Sequence, residues 1–200
     1  MRVLNHFQCC STPILTRWAK EHGINEARFQ TLSSYSLTLM VLHFLQSGVF
    51  PPVLPCLQEE LPEVFNSNSE ITSLPYQPPP WASRNRQSLG ELLCGFFSYY
   101  AGGRNSFDPR TDVASVRCGM VLDQRDCEDY ARLHKLGQGQ WSARILLEEP
   151  FDRTNAARAV CSDQKWAIIM EALLSTKEVV DHGGSGLGLA DLGPSNSYRR

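Results

Sequence analysis

The sequence predicts a mainly α-helical fold with a small β element. Four segments carry apolar residues at helical spacing, and two short β-like runs lie between the third and the fourth of them. The chain has 200 residues, of which 42% are hydrophobic, so it is long enough for one globular domain or for two lobes that share a core.

Capping residues and apolar spacing predict the first two helices. The first is expected to begin at Pro13 with Thr12 as its N-cap, because a proline at the first helical position loses no hydrogen bond. Gly23 is expected to end it. The second helix, at about residues 32–46, is apolar on nearly all sides, which is typical of a central, buried helix.

The third helix is the clearest amphipathic helix in the sequence. A connection at about residues 62–86, rich in Asn, Ser and Pro, precedes it. Ser88 and Glu91 form a capping box at its start. Apolar side chains then recur at helical spacing: Leu89, Leu92, Leu93, Phe96, Phe97 and Tyr100.

The last third of the chain predicts strands and one more helix. Val113–Val116 and Ile145–Leu147 are short β-like runs, separated by a polar, charged segment for which we predict no element. A helix is expected at about residues 163–174. From residue 181 to 200 the chain is rich in Gly, Ser and Asn, which predicts a disordered tail.

Composition narrows the possible classes of protein but neither supports nor excludes a nucleic-acid role. A net charge of -2 is not the strongly basic balance of many nucleic-acid binders, so any RNA contact requires a local patch. The seven cysteines include no CxxC pair and predict buried, reduced thiols. No apolar run reaches membrane-spanning length, and the first residues lack the features of an export signal. We therefore expect a cytoplasmic protein, with the nucleus as the alternative compartment.

The residues alone carry no general catalytic signature. The sequence has no Walker loop, dinucleotide fingerprint, Gly-x-Ser-x-Gly elbow or His-Glu-x-x-His pair. Without further information it predicts only a mainly helical soluble domain with a small strand element.

Three sequence blocks, in a fixed order between residues 14 and 175, carry a resemblance to a known family. Residues 17–55 include a Thr-Leu-Ser-Ser-Tyr-Ser run and a Pro-Pro-Val-Leu-Pro run, residues 89–117 include two aromatic pairs, and residues 148–160 contain Glu-Glu-Pro-Phe-Asp. Together they resemble the template-independent RNA nucleotidyltransferases, which include the cytoplasmic poly(A) polymerases and the terminal uridylyltransferases. The resemblance implies a central helical lobe at residues 1–180, with the poly(A)-polymerase-associated segment embedded at about 88–152.

The resemblance implies a nucleotide-binding role for residues of the first block. Lys20 matches a lysine that meets the triphosphate, and an ammonium is a compact charge suited to phosphate. Ser34 matches a hydroxyl that bonds a phosphate, and Tyr35 matches a ring that stacks on the base. The alternatives are that Lys20 is an ordinary solvated charge and that Tyr35, on a buried stripe, belongs to the core.

The third block bears on the choice of base. Glu149 and Asp152 match acidic residues that help to fix the substrate, and Asn155 matches the asparagine of the same nucleotide-binding motif. Uridylyl-adding relatives often carry a histidine just before that asparagine, whereas Thr154 stands there in this chain. The resemblance therefore favours ATP over UTP. As a structural alternative, Thr154 and Asn155 form an ordinary helix N-cap.

The carboxylates that would bind metal are not found in the sequence. The family holds Mg²⁺ or Mn²⁺ with a preceding lobe that carries a Gly-Ser pair and an Asp-x-Asp, and this chain has no Asp-x-Asp. We therefore expect no catalytic residue and no metal site in this chain.

The resemblance implies that the complete enzyme adds adenylates to RNA 3′ ends, with an RNA-binding adaptor protein as a further partner. Because the metal-binding carboxylates are missing, we expect the chain alone to be inactive. The alternatives are a truncated, non-catalytic nucleotide- or RNA-binding protein, a uridylyltransferase of the same family, and a scaffold with protein partners only.

Overall fold

The computed structural model describes residues 2–65, 81–102, 106–137 and 139–183. Its helices are α1 (Arg2–Glu21), α2 (Ser34–His43), α3 (Leu57–Glu60), α4 (Leu89–Tyr100), α5 (Gln124–Leu133) and α6 (Asp163–Gly183). Its strands are β1 (Asp112–Ser115), β2 (Met120–Asp123) and β3 (Leu146–Glu148). Short 3-10 turns lie at Ala27–Phe29 and Gln140–Ser142, and a π-helical turn, Phe44–Gly48, continues α2. The prediction of a mainly α fold with a small β element is confirmed.

Helix α2 lies at the centre of the large hydrophobic core. Ser33 caps it by accepting a hydrogen bond from the amide of Ser36, and buried residues occupy several sides of the helix. The core is assembled from both ends of the chain, since the indole of Trp18 in α1 donates to the hydroxyl of Thr176 in α6 at 2.8 Å. This is the arrangement expected for a helix that is apolar on nearly all sides.

Helix α4 confirms the predicted capping box. The hydroxyl of Ser88 accepts from the amide of Glu91 at 3.3 Å, and the Glu91 carboxylate accepts from the amide of Ser88 at 2.6 Å. Phe96 and Phe97 then enter the large core almost without exposure. The caps fix where α4 begins, and the apolar face fixes how it packs against α6.

The sheet has the order β2-β1-β3, with β1 antiparallel to β2 and parallel to β3. Val113 lies opposite Leu146, and Ala114 lies opposite Leu147. Because neighbouring residues of a strand face opposite sides, Ala114 and Leu147 join the large core while Val113 and Leu146 face a smaller one. That small core also contains Cys127 and Ala131 of α5, and Trp141.

Two elements between the predicted strands were missed, β2 and α5. The strand β2 reads Met-Val-Leu-Asp, which shows no alternation of apolar and polar residues, and Met120 and Val121 are exposed in spite of being apolar. Helix α5 buries only Cys127 and Ala131, a stripe too narrow to stand out in a highly charged segment. Its N-cap, Asp123, accepts from the amide of Arg125 at 2.7 Å.

Both terminal helices are longer than predicted. Helix α1 begins at Arg2, so the prediction that the helix starts at Pro13 is wrong; a helix can continue through a proline at the cost of one hydrogen bond. Helix α6 extends to Gly183 because its buried stripe continues through Thr176 and Val180. Residues 184–200 of the expected tail lie outside the described residues, as does most of the connection before α4.

The prediction of buried thiols holds only in part. Among the cysteines whose side chains are described, Cys127 is buried, Cys161 is exposed and the others are intermediate. All five are free of disulfides. In the described ranges, none of the helices has the length and apolar character needed to cross a membrane.

Candidate nucleotide-binding site

The first turn of α2 presents Ser34 and Tyr35 to the surface. Both side chains are exposed, and Tyr35 retains 47% of its accessible surface. The buried stripe of α2 begins only with Ser36 and Leu37. The alternative that Tyr35 belongs to the core is therefore wrong, and its ring is accessible to a ligand.

A hydrogen bond joins Tyr35 to the segment that follows β3. The Tyr35 hydroxyl donates to Oε1 of Glu149 at 2.6 Å, across 114 positions of sequence. Partial burial, this hydrogen bond and the nearby charges of Glu149 and Asp152 all raise the pKa of the Tyr35 hydroxyl. The phenol is thus held neutral, with its ring fixed between α2 and the Glu149 segment.

Ser34 lies beside a residue that sequence reasoning had not singled out as a site residue, Asn25. The Ser34 hydroxyl donates to Oδ1 of Asn25 at 3.0 Å, and the Asn25 amide donates to the carbonyl of Leu32 at 3.3 Å. Asn25 therefore ties the connection after α1 to the start of α2. No local signal marked Asn25, since the connection contains several other polar residues.

Lys20 is exposed in the last turn of α1. The chain after it is held close to the start of α2, since the amide of Ile24 bonds the carbonyl of Ala19 and the amide of Leu32 bonds the carbonyl of Ile24. No ion pair involves Lys20 in the described part of the chain. Its ammonium is available to an anion, and the structure does not bring it into direct contact with Tyr35.

Residues 149–155, called here the acidic loop, form a tight turn after β3. Oε2 of Glu149 accepts from the amides of Phe151 and Asp152, each at 2.7 Å. Asp152 in turn accepts from the amide and the hydroxyl of Thr154 at 2.8 and 2.6 Å. Each carboxylate therefore shapes the loop with one oxygen and leaves the other for a second partner.

Arg153 sits at the apex of the acidic loop in a left-handed conformation, with φ 56°. Its guanidinium lies 4.5 Å from the centre of the Tyr130 ring of α5. A non-glycine residue adopts this conformation at some cost, and the cation–π contact offsets part of it. The loop is thereby braced against α5.

Asn155 supports the acidic loop from below. It is fully buried, and its Oδ1 accepts from the amides of Leu147 and Ala157. Its Nδ2 donates to the carbonyls of Gln140 and Ile145. Every hydrogen-bonding position of the side chain is thus occupied by protein, so in this structure the Asn155 side chain holds the backbone of the loop.

The helix N-cap interpretation of Thr154 and Asn155 is also wrong. The chain from Phe151 to Val160 forms turns rather than a helix. An asparagine amide can satisfy backbone groups of a turn in the same way as those of a helix end, so the local pattern does not distinguish the two. Asn155 therefore has a positioning role in this structure.

A buried ion pair holds the strand end from which the acidic loop begins. Glu148 is 3% exposed, and its Oε1 accepts from Nη2 of Arg117 at 2.7 Å while its Oε2 accepts from the hydroxyl of Ser115. A second bond connects α2 with the residue that follows the acidic loop, since the hydroxyl of Ser36 in α2 donates to the carbonyl of Ala156 at 2.9 Å. Sequence reasoning missed this role of Glu148.

The structure places the six sequence-predicted residues as follows. Tyr35 and Glu149 are in contact, Ser34 adjoins Tyr35 on α2, and Lys20 is exposed at the nearby end of α1. Asp152 is an exposed member of the same acidic loop, while Asn155 lies beneath it. As for metal, no group of three or more His, Cys, Asp or Glu side chains in the described ranges is arranged to hold an ion. These residues do not fit a divalent-metal centre.

Comparison with known proteins identifies the family of this chain. Residues 88–155 match the family described as Cid1 family poly A polymerase. The chain is 42% identical over 164 residues to poly(A) RNA polymerase GLD2-A of Xenopus laevis. The aligned region covers 80% of this chain and 30% of the relative. It is 39% identical over 166 residues to poly(A) RNA polymerase GLD2 of Homo sapiens, covering 82% of this chain and 31% of the relative. The chain thus spans about a third of the length of these curated relatives.

Solved structures agree with the sequence match. A cytoplasmic RNA terminal U-transferase superposes with a TM-score of 0.68 at 28% identity, over 90% of this chain and 55% of the other. The structure of the GLD-2/RNP-8 complex gives a TM-score of 0.65 at 30% identity, over 90% of this chain and 51% of the other. With its helical body, small sheet and matched associated region, the chain belongs to the Cid1 and GLD2 family of template-independent RNA nucleotidyltransferases.

Proposed function

We propose that this chain forms the nucleotide-binding wall of an RNA 3′-end adenylyltransferase. The bond between the Tyr35 hydroxyl and Glu149 is the observation that supports this most directly, because it brings an exposed aromatic ring and an acidic loop to one place. An aromatic face stacks on any base, and carboxylates accept hydrogen bonds from amino groups of a base edge. The 6-amino group of adenine is such a donor, which suits Glu149, the carboxylate in contact with Tyr35.

In this proposal the phosphates lie toward the start of α2 and the end of α1. The N-terminus of a helix carries partial positive charge and favours phosphate. Ser34, in the first turn of α2, would turn its hydroxyl from Asn25 to a phosphate oxygen. Lys20 would add a full positive charge from the exposed end of α1.

The chemical step is not assigned to this chain. Because the described residues do not fit a metal centre, the Mg²⁺ or Mn²⁺ that nucleotidyl transfer employs in the complete enzyme would be bound elsewhere. We propose an RNA 3′ end as the acceptor, a cytoplasmic setting, and an RNA-binding adaptor protein as a partner. The similarity to the GLD-2/RNP-8 complex and to a cytoplasmic U-transferase supports the last two.

A reconstitution experiment tests the proposal. The chain is mixed with the metal-binding lobe of a GLD2 relative supplied in trans, a short RNA, and either ATP or UTP, and single-nucleotide extension is followed. We expect adenylate incorporation by the mixture and none by the chain alone. A preference for UTP would indicate a uridylyltransferase. Nucleotide binding without any extension would indicate a non-catalytic binding protein, and a chain that binds no nucleotide would indicate a scaffold.

A further inference from the structure

A polar pocket lies on the acidic loop, and it does not include Lys20, Ser34 or Tyr35. Its volume is about 430 Å³, within the range of ligand-binding pockets. The described residues that line it come from two segments: Gly137, Gly139, Gln140, Asp152, Thr154 and Arg158. The acidic loop therefore has Glu149 bonded to Tyr35 and Asp152 lining a separate hollow.

Opposite charges line this pocket without pairing. Oδ1 of Asp152 is occupied by Thr154, while its Oδ2 has no partner among the described residues. Arg158 is exposed and makes only a long hydrogen bond of 3.4 Å, from Nη1 to the carbonyl of Asn155. Most donors of its guanidinium are thus available, and the space between the two charges is open. A ligand with hydroxyl donors at one end and an anion at the other would satisfy both.

Gln140 forms a rigid part of the pocket wall. Its Oε1 accepts from the amide of Asn155 at 2.9 Å, which fixes the orientation of the side chain. The side chain is 8% exposed, and its Nε2 has no hydrogen-bond partner. Because that nitrogen is itself buried, Gln140 contributes by holding Asn155 and the pocket wall in place rather than by contacting a ligand.

We propose that this pocket binds a ribose–phosphate unit, with Asp152 accepting from ribose hydroxyls and Arg158 pairing with the phosphate. A carboxylate that receives ribose hydroxyls is a known solution in nucleotide-binding folds, and a guanidinium matches the geometry of phosphate oxygens. The source is either a free nucleotide or a nucleotide of the RNA strand. The expectation that it is RNA rests on the proposed function. A 2′-hydroxyl at Asp152 would distinguish RNA from DNA.

The fold offers a clean variant for closing the pocket. A Cβ placed at Gly137 meets no atom within 4 Å, and the residue does not adopt a positive φ. A side chain at Gly137, which lines the pocket, therefore begins in open space, and Gly137→Leu is the variant chosen to narrow the pocket. Gly139 is unsuitable because its φ of 80° favours glycine.

The test uses this chain, 5′-labelled r(A)6 and d(A)6, AMP, and labelled ATP, with fluorescence anisotropy as the measurement. Arg158→Gln is expected to weaken r(A)6 binding about tenfold, the loss of one charge-assisted contact, and Gly137→Leu is expected to weaken it about as much by occupying part of the pocket. ATP binding should change less than about twofold in both variants. Tyr35→Ala should weaken ATP binding and leave r(A)6 binding nearly unchanged. Asp152→Asn should narrow the preference for r(A)6 over d(A)6. Thermal unfolding verifies that each variant is folded.

The outcomes separate the two proposals. Unchanged r(A)6 and AMP binding in both pocket variants would overturn the inference. Loss of AMP binding with r(A)6 binding retained would identify a free nucleotide as the source of the same ribose–phosphate unit. A chain that binds r(A)6 through Arg158 but binds no ATP would support the pocket and contradict the proposed function.

Discussion

The two walls of the candidate site are held in different ways. The helical wall, which consists of α2 and the end of α1, rests on the large apolar core through Leu37, Met40 and Phe44. The loop wall, residues 148–155, is held by a buried ion pair, by Asn155 and by carboxylate-to-amide bonds. Apolar packing tolerates small changes, whereas a buried polar network loses much when one member is removed. The walls should therefore respond differently to substitution.

The largest expected effect comes from breaking the ion pair of the loop wall. Glu148→Ala leaves the partly buried guanidinium of Arg117 without its partner, and we expect the free energy of unfolding to fall by about 3–5 kcal/mol. Urea denaturation followed by circular dichroism measures it. Glu171→Ala, at an exposed position of α6, is the matched control and should change little. A loss below about 1 kcal/mol for Glu148→Ala would remove the proposed difference between the walls.

The helical wall contains its own polar exception, His43. Burial lowers its pKa from the ordinary value of 6.5 to about 4. Between those two pH values the unfolded chain takes up a proton that the folded chain does not, so stability is lost as the pH falls from 6.5 toward 4. The loss due to His43 should reach about 3 kcal/mol at pH 4.

His43→Asn serves as the control for that pH dependence. The variant retains the titration of the carboxylates but lacks the imidazole. Stability measured against pH should therefore fall less steeply in the variant than in the natural chain. Equal slopes between pH 6.5 and 4 would mean that His43 becomes protonated within the folded core.

The next largest loss of stability is expected from a substitution at Asn155. Asn155→Ala removes an amide that satisfies two backbone amides and two carbonyls, and we expect a loss of about 2 kcal/mol in unfolding free energy. Amide hydrogen exchange should also become faster in residues 149–154. Asn85→Ala, in a surface segment before α4, provides a comparison with an asparagine outside the core. Unchanged exchange in the acidic loop would contradict the positioning role of Asn155.

The smallest effects are expected from the side-chain hydrogen bond between Tyr35 and Glu149, which connects the two walls. Tyr35→Phe removes only the hydroxyl, at a cost of about 0.5 kcal/mol, because the residue is half exposed. Glu149→Ala removes the same bond and also the acceptor of two loop amides, so we expect a loss of about 1–2 kcal/mol. Differential scanning calorimetry of the two variants provides the comparison. Equal losses would show that Glu149 does not shape the acidic loop.

The same contrast explains what the sequence could predict. The helical wall and the helices that pack behind it follow from local signals: the apolar residues of α2, the capping box of Ser88 and the apolar face of α4 are visible in short windows. The loop wall depends on contacts between distant residues, such as Glu148 with Ser115 and Arg117, which no local pattern reveals. Helix α5 was missed for a related reason, since its two buried residues matter only once the sheet is in place.

The family resemblance identified some of the site residues that local sequence patterns do not reveal. It selected Tyr35 and Glu149, which the structure brings within hydrogen-bonding distance. It also selected Asn155, whose side chain is wholly engaged with the protein. A motif match identifies a position that matters without distinguishing contact with a ligand from support of the backbone. Burial and hydrogen-bond partners make that distinction.

Affinity for ATP is the most direct test of whether the two walls enclose a nucleotide site. Isothermal titration calorimetry of this chain with ATP should show that Tyr35→Ala weakens binding about tenfold or more, the loss of one base-stacking contact. The variant should unfold at nearly the same temperature as the natural chain, because the ring lies outside the core. ATP binding that survives Tyr35→Ala unchanged in a folded variant would contradict the account.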